Sequence, residues 1–84
     1  MARSRFTPEY EVLLRRLIQA RKSAGVTQQQ IATALGKPQS HVSKCEMQDR
    51  EISIVDLRLW CNALNIRLCD LIREWEEEVA THLP

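Results

Sequence analysis

The sequence has no uninterrupted run of 18 apolar residues, and it does not begin with a charged segment followed by an apolar one. The first absence argues against a transmembrane helix, and the second argues against a secretory signal peptide. With 84 residues and 44% hydrophobic content, the chain can form one small core and is too apolar to be disordered. We therefore expect a single domain located in the cytoplasm.

Cysteine is scarce, and no two of Cys45, Cys61 and Cys69 form a C-x-x-C pair. Structural zinc sites use closely spaced cysteine or histidine ligands, which this spacing does not supply. His41 and His82 are isolated, and neither a glycine-rich phosphate loop nor a pair of catalytic carboxylates is recognisable. The sequence therefore predicts reduced core thiols, no metal, no cofactor and no enzymatic activity.

Only two glycines occur, and both follow patterns typical of helices. Gly25 follows an apolar pattern over residues 9–24, and Gly36 follows a second, shorter one. Glycine is the usual left-handed residue just after a helix. Three further helices are predicted downstream, the last from about 68 to 82, and no segment alternates with period two. The predicted fold class is all-α.

The stretch 27–46 is the most informative part of the chain. Thr27 is a good N-cap, and Gln30 completes the capping-box spacing of the first helix. Pro38 is predicted to open the second helix, where its missing N–H is not needed. The outer face of that helix carries side chains of the kinds that read base edges, namely Gln39, Ser40, Ser43 and Lys44. This pattern predicts a helix-turn-helix whose second helix enters the major groove of DNA.

The fourth predicted helix begins after Ser53, which is expected to cap it. Asp56, three residues later, is expected to substitute for the usual capping-box glutamate. The predicted buried stripe of this helix consists of Ile54, Leu57, Trp60, Cys61 and Leu64. Asn65 is a plausible left-handed stop.

The net charge is only +1, but it is unevenly distributed. Residues 1–50 hold nine basic and four acidic residues, whereas residues 51–84 hold three basic and seven acidic ones. A basic half that contains the two-helix unit suggests one DNA-facing side and one side turned away. Residues 1–8, with Arg3 and Arg5, are predicted to form a flexible basic arm that either reaches DNA or has no role.

From about Leu17 to Ile72 the chain resembles the Cro/C1-type, or XRE, helix-turn-helix family of phage repressors and bacterial regulators. The run RKSAGVTQQQIATALGKPQSHVSKCE carries most of the resemblance, and ALNI follows further along. The resemblance implies a five-helix, lambda-repressor-like domain over residues 9–84, with an extended C-terminal helix. It also implies that Arg21 pairs with Glu46 and fixes the recognition helix against the scaffold.

The resemblance assigns DNA contacts residue by residue. Base reading is expected from three positions of the second helix of the motif, Gln39, Ser40 and Lys44. Backbone contacts or support of the site are expected from six others, Gln28, Gln29, Lys37, His41, Ser43 and Arg50. For His41 the alternatives are contact with a phosphate and packing against the first helix of the motif.

The chain departs from the family pattern in the turn and after the recognition helix. Lys37 stands where the family has an apolar residue, so its stem is expected to cover apolar surface while its ammonium reaches solvent or phosphate. Met47 and Gln48 replace a common Asn-Gly, so the phosphate contact of that asparagine is in doubt here.

The last predicted helix allows two interpretations. The acidic run Glu76–Glu78 indicates a solvated face. Alternatively, Trp75, Val79 and Leu83 recur every four residues and could form a stripe that contacts a partner. The resemblance adds that the last helix of this family often forms a two-fold dimer.

The favoured function is a sequence-specific regulator that binds double-stranded DNA, a transcriptional repressor acting as a homodimer on a near-palindromic operator. One alternative is the antitoxin of a toxin–antitoxin pair, whose acidic C-terminal helix binds a toxin. Another is a protein-interaction module with the same fold, which the polar face of the second helix disfavours. The resemblance suggests a bacterial or phage origin.

Overall fold

The computed structural model describes residues 7–83, which form five α-helices. They are α1 (Pro8–Ser23), α2 (Gln28–Leu35), α3 (Gln39–Glu46), α4 (Ile54–Ala63) and α5 (Leu68–His82). No strand occurs within residues 7–83, and the predicted all-α fold is confirmed. Arg3 and Arg5 of the predicted basic arm lie outside the described residues.

Helix α1 begins one residue earlier than its apolar pattern predicted. The hydroxyl of Thr7 accepts a hydrogen bond from the Tyr10 backbone N–H at 3.2 Å, and Pro8 is the first helical residue. Proline suits that position because its φ is already helical. The last two residues of the predicted arm therefore form the start of the helix. Gly25, with a φ of 70°, is the left-handed residue predicted to follow the helix.

The local signals around α2 have the predicted structural effects. Thr27 Oγ1 accepts from the Gln30 N–H at 3.1 Å, and Gln30 Oε1 accepts from the Thr27 N–H at 2.8 Å, so the capping box is complete. Gly36 is left-handed, with a φ of 68°. Pro38 is the N-cap of α3 rather than its first residue, because its ψ of 155° is extended. Its carbonyl accepts from the His41 N–H at 3.0 Å.

The core lies between α2, α3 and α4, and α1 and α5 close it from outside. Seven side chains have no exposed surface, Leu17, Ile31, Ala32, Val42, Cys45, Trp60 and Cys61. Burial of a large apolar side chain contributes roughly 1.5–3 kcal/mol to folding. Val42 and Cys45 form the inner face of α3, so core packing determines which face of α3 remains outside.

Helix α4 differs from the prediction in its first turn. Ser53 Oγ caps it by accepting from the Asp56 N–H at 3.1 Å, as expected. Ile54, which was predicted to be buried, is 63% exposed, and Val55 is exposed as well. Asp56 is the buried residue of this turn, and its carboxylate contacts Lys37 rather than the cap. Asn65 ends the helix region with a φ of 59°, the predicted left-handed conformation.

Helix α5 packs along α1 through ion pairs. The carboxylate of Glu78 binds Arg15 at 2.6 Å and Arg16 at 2.7 Å, and Glu74 lies 3.3 Å from Arg16. The last acid of the run that was predicted to be solvated is therefore paired. These contacts tie the first helix to the last one.

Candidate nucleic-acid interface

The outer face of α3 presents the three predicted base-reading residues together. Gln39, Ser40 and Lys44 are exposed, whereas Val42 and Cys45 on the opposite face are buried. Because residues four apart lie one above the other on a helix, Ser40 and Lys44 follow one line along this face. All three side chains can therefore reach a ligand that lies against α3.

A chain of hydrogen bonds connects this face to α1. The guanidinium of Arg21 binds the carboxylate of Glu46 in a bidentate manner, with distances of 2.6 and 3.0 Å. Glu46 Oε1 also accepts from Gln28 Nε2 at 2.9 Å, and Gln28 Oε1 accepts from Gln39 Nε2 at 2.6 Å. The structure thus brings together four of the residues expected from the resemblance.

This relay orients the side-chain amide of Gln39. One amide hydrogen is held by Gln28, and the carbonyl oxygen and the second amide hydrogen of the exposed Gln39 remain for a ligand. Glu46 and Arg21 are almost fully buried, with side chains 8% and 11% exposed, so their pair is shielded from water. A side chain whose rotamer is fixed before binding loses less entropy when it meets a base.

A second polar cluster joins the turn of the motif to α4. Lys37 Nζ lies 2.9 Å from Asp56 Oδ2, and His41 Nε2 lies 3.4 Å from the same oxygen. Asp56 thus holds the Lys37 ammonium, which was expected to reach solvent or phosphate, and the Lys37 side chain remains 40% exposed. His41 is half-buried, and its Nε2 lies on the side of α4.

Sequence reasoning did not find the role of Asp56, because its position three residues after Ser53 suggested a cap. Two features could have indicated it. Lys37 replaces an apolar family residue, and Asp56 interrupts the apolar start of α4. A buried acid needs a cation or hydrogen-bond donors, so two such departures suggest a compensating pair.

The charge of the interface comes from fewer cations than the sequence count suggests. Arg15 and Arg16 bind acids of α5, and Lys37 binds Asp56. In contrast, Lys44 and Arg50 form no ion pair within residues 7–83, and both line a shallow depression beside the end of α3. These two side chains are available to phosphate groups.

The remaining predicted backbone contacts lie close to the same face. Gln29 is exposed in the first turn of α2, and its Nε2 donates to Thr33 Oγ1 at 3.3 Å. Ser43 is half-buried beside Lys44 on α3. The first turn of α2 and the flank of α3 therefore border the residues that are predicted to read bases.

The same part of the chain also bears on metal ligation, membrane insertion and the state of the core thiols. No group of three metal-ligating side chains occurs in residues 7–83, and no helix there is long and apolar enough to cross a bilayer. Burial raises the pKa of the Cys61 thiol to about 11 and also raises that of Cys45. Both thiols are therefore protonated near neutral pH and act as small apolar core groups.

Comparisons with known proteins agree with this geometry. The profile of a helix-turn-helix family matches residues 17–71, which include α2, α3 and α4. The chain belongs to the XRE (Cro/C1-type) helix-turn-helix family. A search of curated proteins gave no match.

A solved XRE-family structure supports the assignment. It is an XRE-family like protein from Pseudomonas syringae pv. tomato str. DC3000, with 35% sequence identity and a TM-score of 0.78. The alignment covers 82% of the present chain and 84% of the other one. The similarity therefore extends over nearly all of both XRE domains.

The XRE domain keeps a left-handed residue after α3 even though glycine is absent there. Gln48 has a φ of 66°, at the position where the family commonly has the glycine of Asn-Gly. A side chain with a Cβ is disfavoured in this conformation. The loop therefore adopts this conformation at some cost in folding stability.

The predicted partner stripe is partly covered within the XRE domain. Trp75 Nε1 donates to the carbonyl of Glu9 in α1 at 2.8 Å, and Trp75, Val79 and Leu83 are all half-buried. Helix α1 of the same chain thus covers much of this stripe. Within residues 7–83, the exposed large apolar side chains are those of Met47, Ile54 and Val55.

Proposed function

We propose that this XRE-family DNA-binding regulator is a sequence-specific repressor that binds double-stranded DNA. Gln39, Ser40 and Lys44 would read base edges from the major groove. A glutamine in this position can pair with adenine N6 and N7, and a lysine favours guanine O6 and N7. The proposal further holds that the protein is of bacterial or phage origin, acts in the cytoplasm and has no enzymatic activity.

The hydrogen-bond relay carries this proposal. A module that needs only a positive surface has no use for a glutamine amide held at 2.6 Å by a second glutamine. The relay runs from the buried Arg21–Glu46 pair to the exposed Gln39, so the scaffold itself orients the proposed reading residue. Such preorganisation favours recognition of one base pair over others.

Backbone contacts are proposed for the residues around this reading face. Lys44 and Arg50 are free of ion pairs within residues 7–83, and each can attract a phosphate. Gln28 and Gln29 are at the N-terminus of α2, where free backbone N–H groups favour an anion. These contacts would set the register of α3 in the groove.

A homodimer is part of the proposal because one small interface makes few contacts with DNA. Two copies on half-sites about 10 bp apart would multiply the affinity and match a two-fold symmetric operator. Since α1 covers much of the Trp75 stripe, we do not assign the dimer contact to that stripe alone. Sedimentation with and without the selected duplex would measure the stoichiometry.

Selection of binding sites from a random duplex pool tests the proposal. The selection is run at near-physiological salt with the wild-type chain and with two variants, Gln39→Ala and Gln19→Ala. Gln19 is an exposed glutamine on α1, outside the predicted base-reading set, and serves as the matched control. We expect an inverted repeat from the wild type and from Gln19→Ala.

The variant Gln39→Ala should lose preference at one position of each half-site, at a cost of about 1–3 kcal/mol. Binding that shows no sequence preference and vanishes as salt rises would mean phosphate attraction alone. That result would remove the repressor proposal and favour a protein-interaction module. A toxin partner would then be tested with the exposed acids of α5, Glu76 and Glu77.

A further inference from the structure

Asp56 makes an interaction that the proposed reading of DNA does not use. Its side chain is buried, and its Oδ2 lies 2.9 Å from Lys37 Nζ. The Lys37 side chain remains 40% exposed, so this is a cation near the surface held by an acid below it. A buried carboxylate without a partner is costly, which keeps the two groups together.

The position of this pair connects it to the recognition helix. Lys37 lies in the turn between α2 and α3, two residues before Gln39. His41, in the first turn of α3, has its Nε2 3.4 Å from the same Asp56 oxygen. One carboxylate of α4 therefore contacts both the turn and the beginning of α3. At the other end of α3, Arg21 holds Glu46.

The pair also removes a positive charge from the interface. A free lysine beside the start of α3 could approach a phosphate next to the base pair that Gln39 meets. Phosphate attraction does not depend on base sequence, so it strengthens binding to correct and incorrect sites alike. With Asp56 in place, Lys37 differs from Lys44 and Arg50, which have no acid partner within residues 7–83.

We propose that Asp56 is a specificity-determining positioning residue. It holds Lys37, in the turn that leads into α3, away from the DNA backbone. The sequence preference of the domain then depends more on the reading residues and less on phosphate attraction. This inference rests on the proposed DNA-binding function and adds to it a residue that touches no DNA.

The test is a salt titration of DNA binding with matched variants. Affinity for the selected operator and for an unrelated duplex is measured between about 50 and 200 mM salt, a range in which one phosphate contact changes affinity roughly threefold. Asp56→Asn keeps the shape of the side chain and releases Lys37. Lys37→Met with Asp56→Asn removes both charges. Asp70→Asn is the control, because it also replaces a paired aspartate by asparagine, but the cation that it releases is Arg73 on α5.

We expect the affinity of Asp56→Asn for the unrelated duplex to fall by an additional factor of about three over this range, compared with the wild type. Its preference for the operator over the unrelated duplex should fall. The double variant should return to the wild-type salt dependence, and Asp70→Asn should keep it. If Asp56 only stabilised the fold, its replacement would not change how the affinity for unrelated DNA depends on salt. Circular dichroism of each variant checks that it is folded.

An unchanged salt dependence in Asp56→Asn would overturn the proposal. If that variant does not fold, Lys37→Met alone decides the question. The affinity of this variant should depend on salt as that of the wild type does. A smaller salt dependence, by the amount that one phosphate contact contributes, would mean that Lys37 touches phosphate in the wild type. Should the wild type show no sequence preference, the proposed function fails, while the unrelated duplex still reports on the Lys37–Asp56 pair.

Discussion

Gln39 donates a hydrogen bond to Gln28 at 2.6 Å, and this contact joins the two helices of the motif at the exposed face. Gln28 is in turn bound to Glu46, so a residue of α2 transmits the position of the buried ion pair to the proposed reading residue. Recognition of a base by Gln39 should therefore depend on residues that never contact the base.

The first prediction concerns Gln28 and Gln39 as a unit. Gln28→Ala should weaken discrimination at the base pair that Gln39 reads, since the Gln39 amide is then free to rotate. Gln39→Ala should cost about 1–3 kcal/mol at that base pair, and the double variant should cost less than the sum of the two. Binding to a panel of single-base-pair operator variants measures this coupling. Additive losses would separate Gln28 from base reading.

The second prediction concerns the stability of the Arg21–Glu46 pair. Glu46→Ala should lower the free energy of unfolding by about 3–5 kcal/mol, because it leaves the guanidinium of Arg21 buried without a carboxylate. Asp70→Ala breaks the exposed Arg73 pair and should cost only about 0–1 kcal/mol. Urea denaturation of both variants gives the comparison. If the two variants lost the same free energy of unfolding, burial would not be the reason why the Arg21–Glu46 pair matters for stability.

The third prediction concerns the left-handed residue after α3. Gln48→Gly should be more stable than Gln48→Ala by about 0.5–1 kcal/mol, since only the alanine keeps a Cβ at a φ of 66°. Both variants lose the same side-chain contacts, so their difference isolates the backbone effect. Thermal denaturation measures it. A more stable alanine variant would show that this turn carries no strain.

The fourth prediction concerns the pH dependence of the α1–α5 contact. The hydrogen bond from Arg15 is the largest cause that lowers the pKa of Glu78 below its ordinary value; partial burial opposes it, and Arg16 adds to the lowering. A carboxyl with a lowered pKa in the folded state stabilises the fold above its unfolded pKa of about 4.3, and this contribution disappears as pH falls through the folded pKa.

Glu78→Gln should therefore melt at a lower temperature than the wild type at pH 7, and the difference should shrink below about pH 4. Glu76→Gln is the control, because Glu76 is exposed on the same helix and forms no ion pair within residues 7–83. Melting curves across this pH range measure the difference. A constant difference at all pH values would mean that packing, not charge, stabilises the contact.

The features that sequence predicted well depend on neighbours in the chain. Thr27 and Gln30 form their capping box within one turn, and Gly36 and Asn65 need only their own backbone conformation. Such features can be inferred from residue type and spacing alone. The Arg21–Glu46 contact spans 25 residues and was expected only through family resemblance.

The features that sequence did not predict depend on how helices rotate against each other. Asp56 and Lys37 are 19 residues apart, and no local rule connects them. Ile54 was expected to be buried because it fits the apolar spacing of α4. That spacing cannot reveal that Asp56, paired with Lys37, occupies the inner side of the first turn. Likewise, Glu78 was assigned to a solvated face because its arginine partners lie more than 60 residues earlier.

The ion pairs of Glu78 have a consequence for the surface that α1 and α5 form together. Arg15 and Arg16 are neutralised there only because the last helix stays docked on the first one. A protein whose α5 detached would present a second cationic surface and could adhere to two DNA duplexes at once. With α5 docked, the acids of the last helix would leave a single surface that attracts nucleic acid. A regulator with a single such surface is less prone to cross-link DNA molecules.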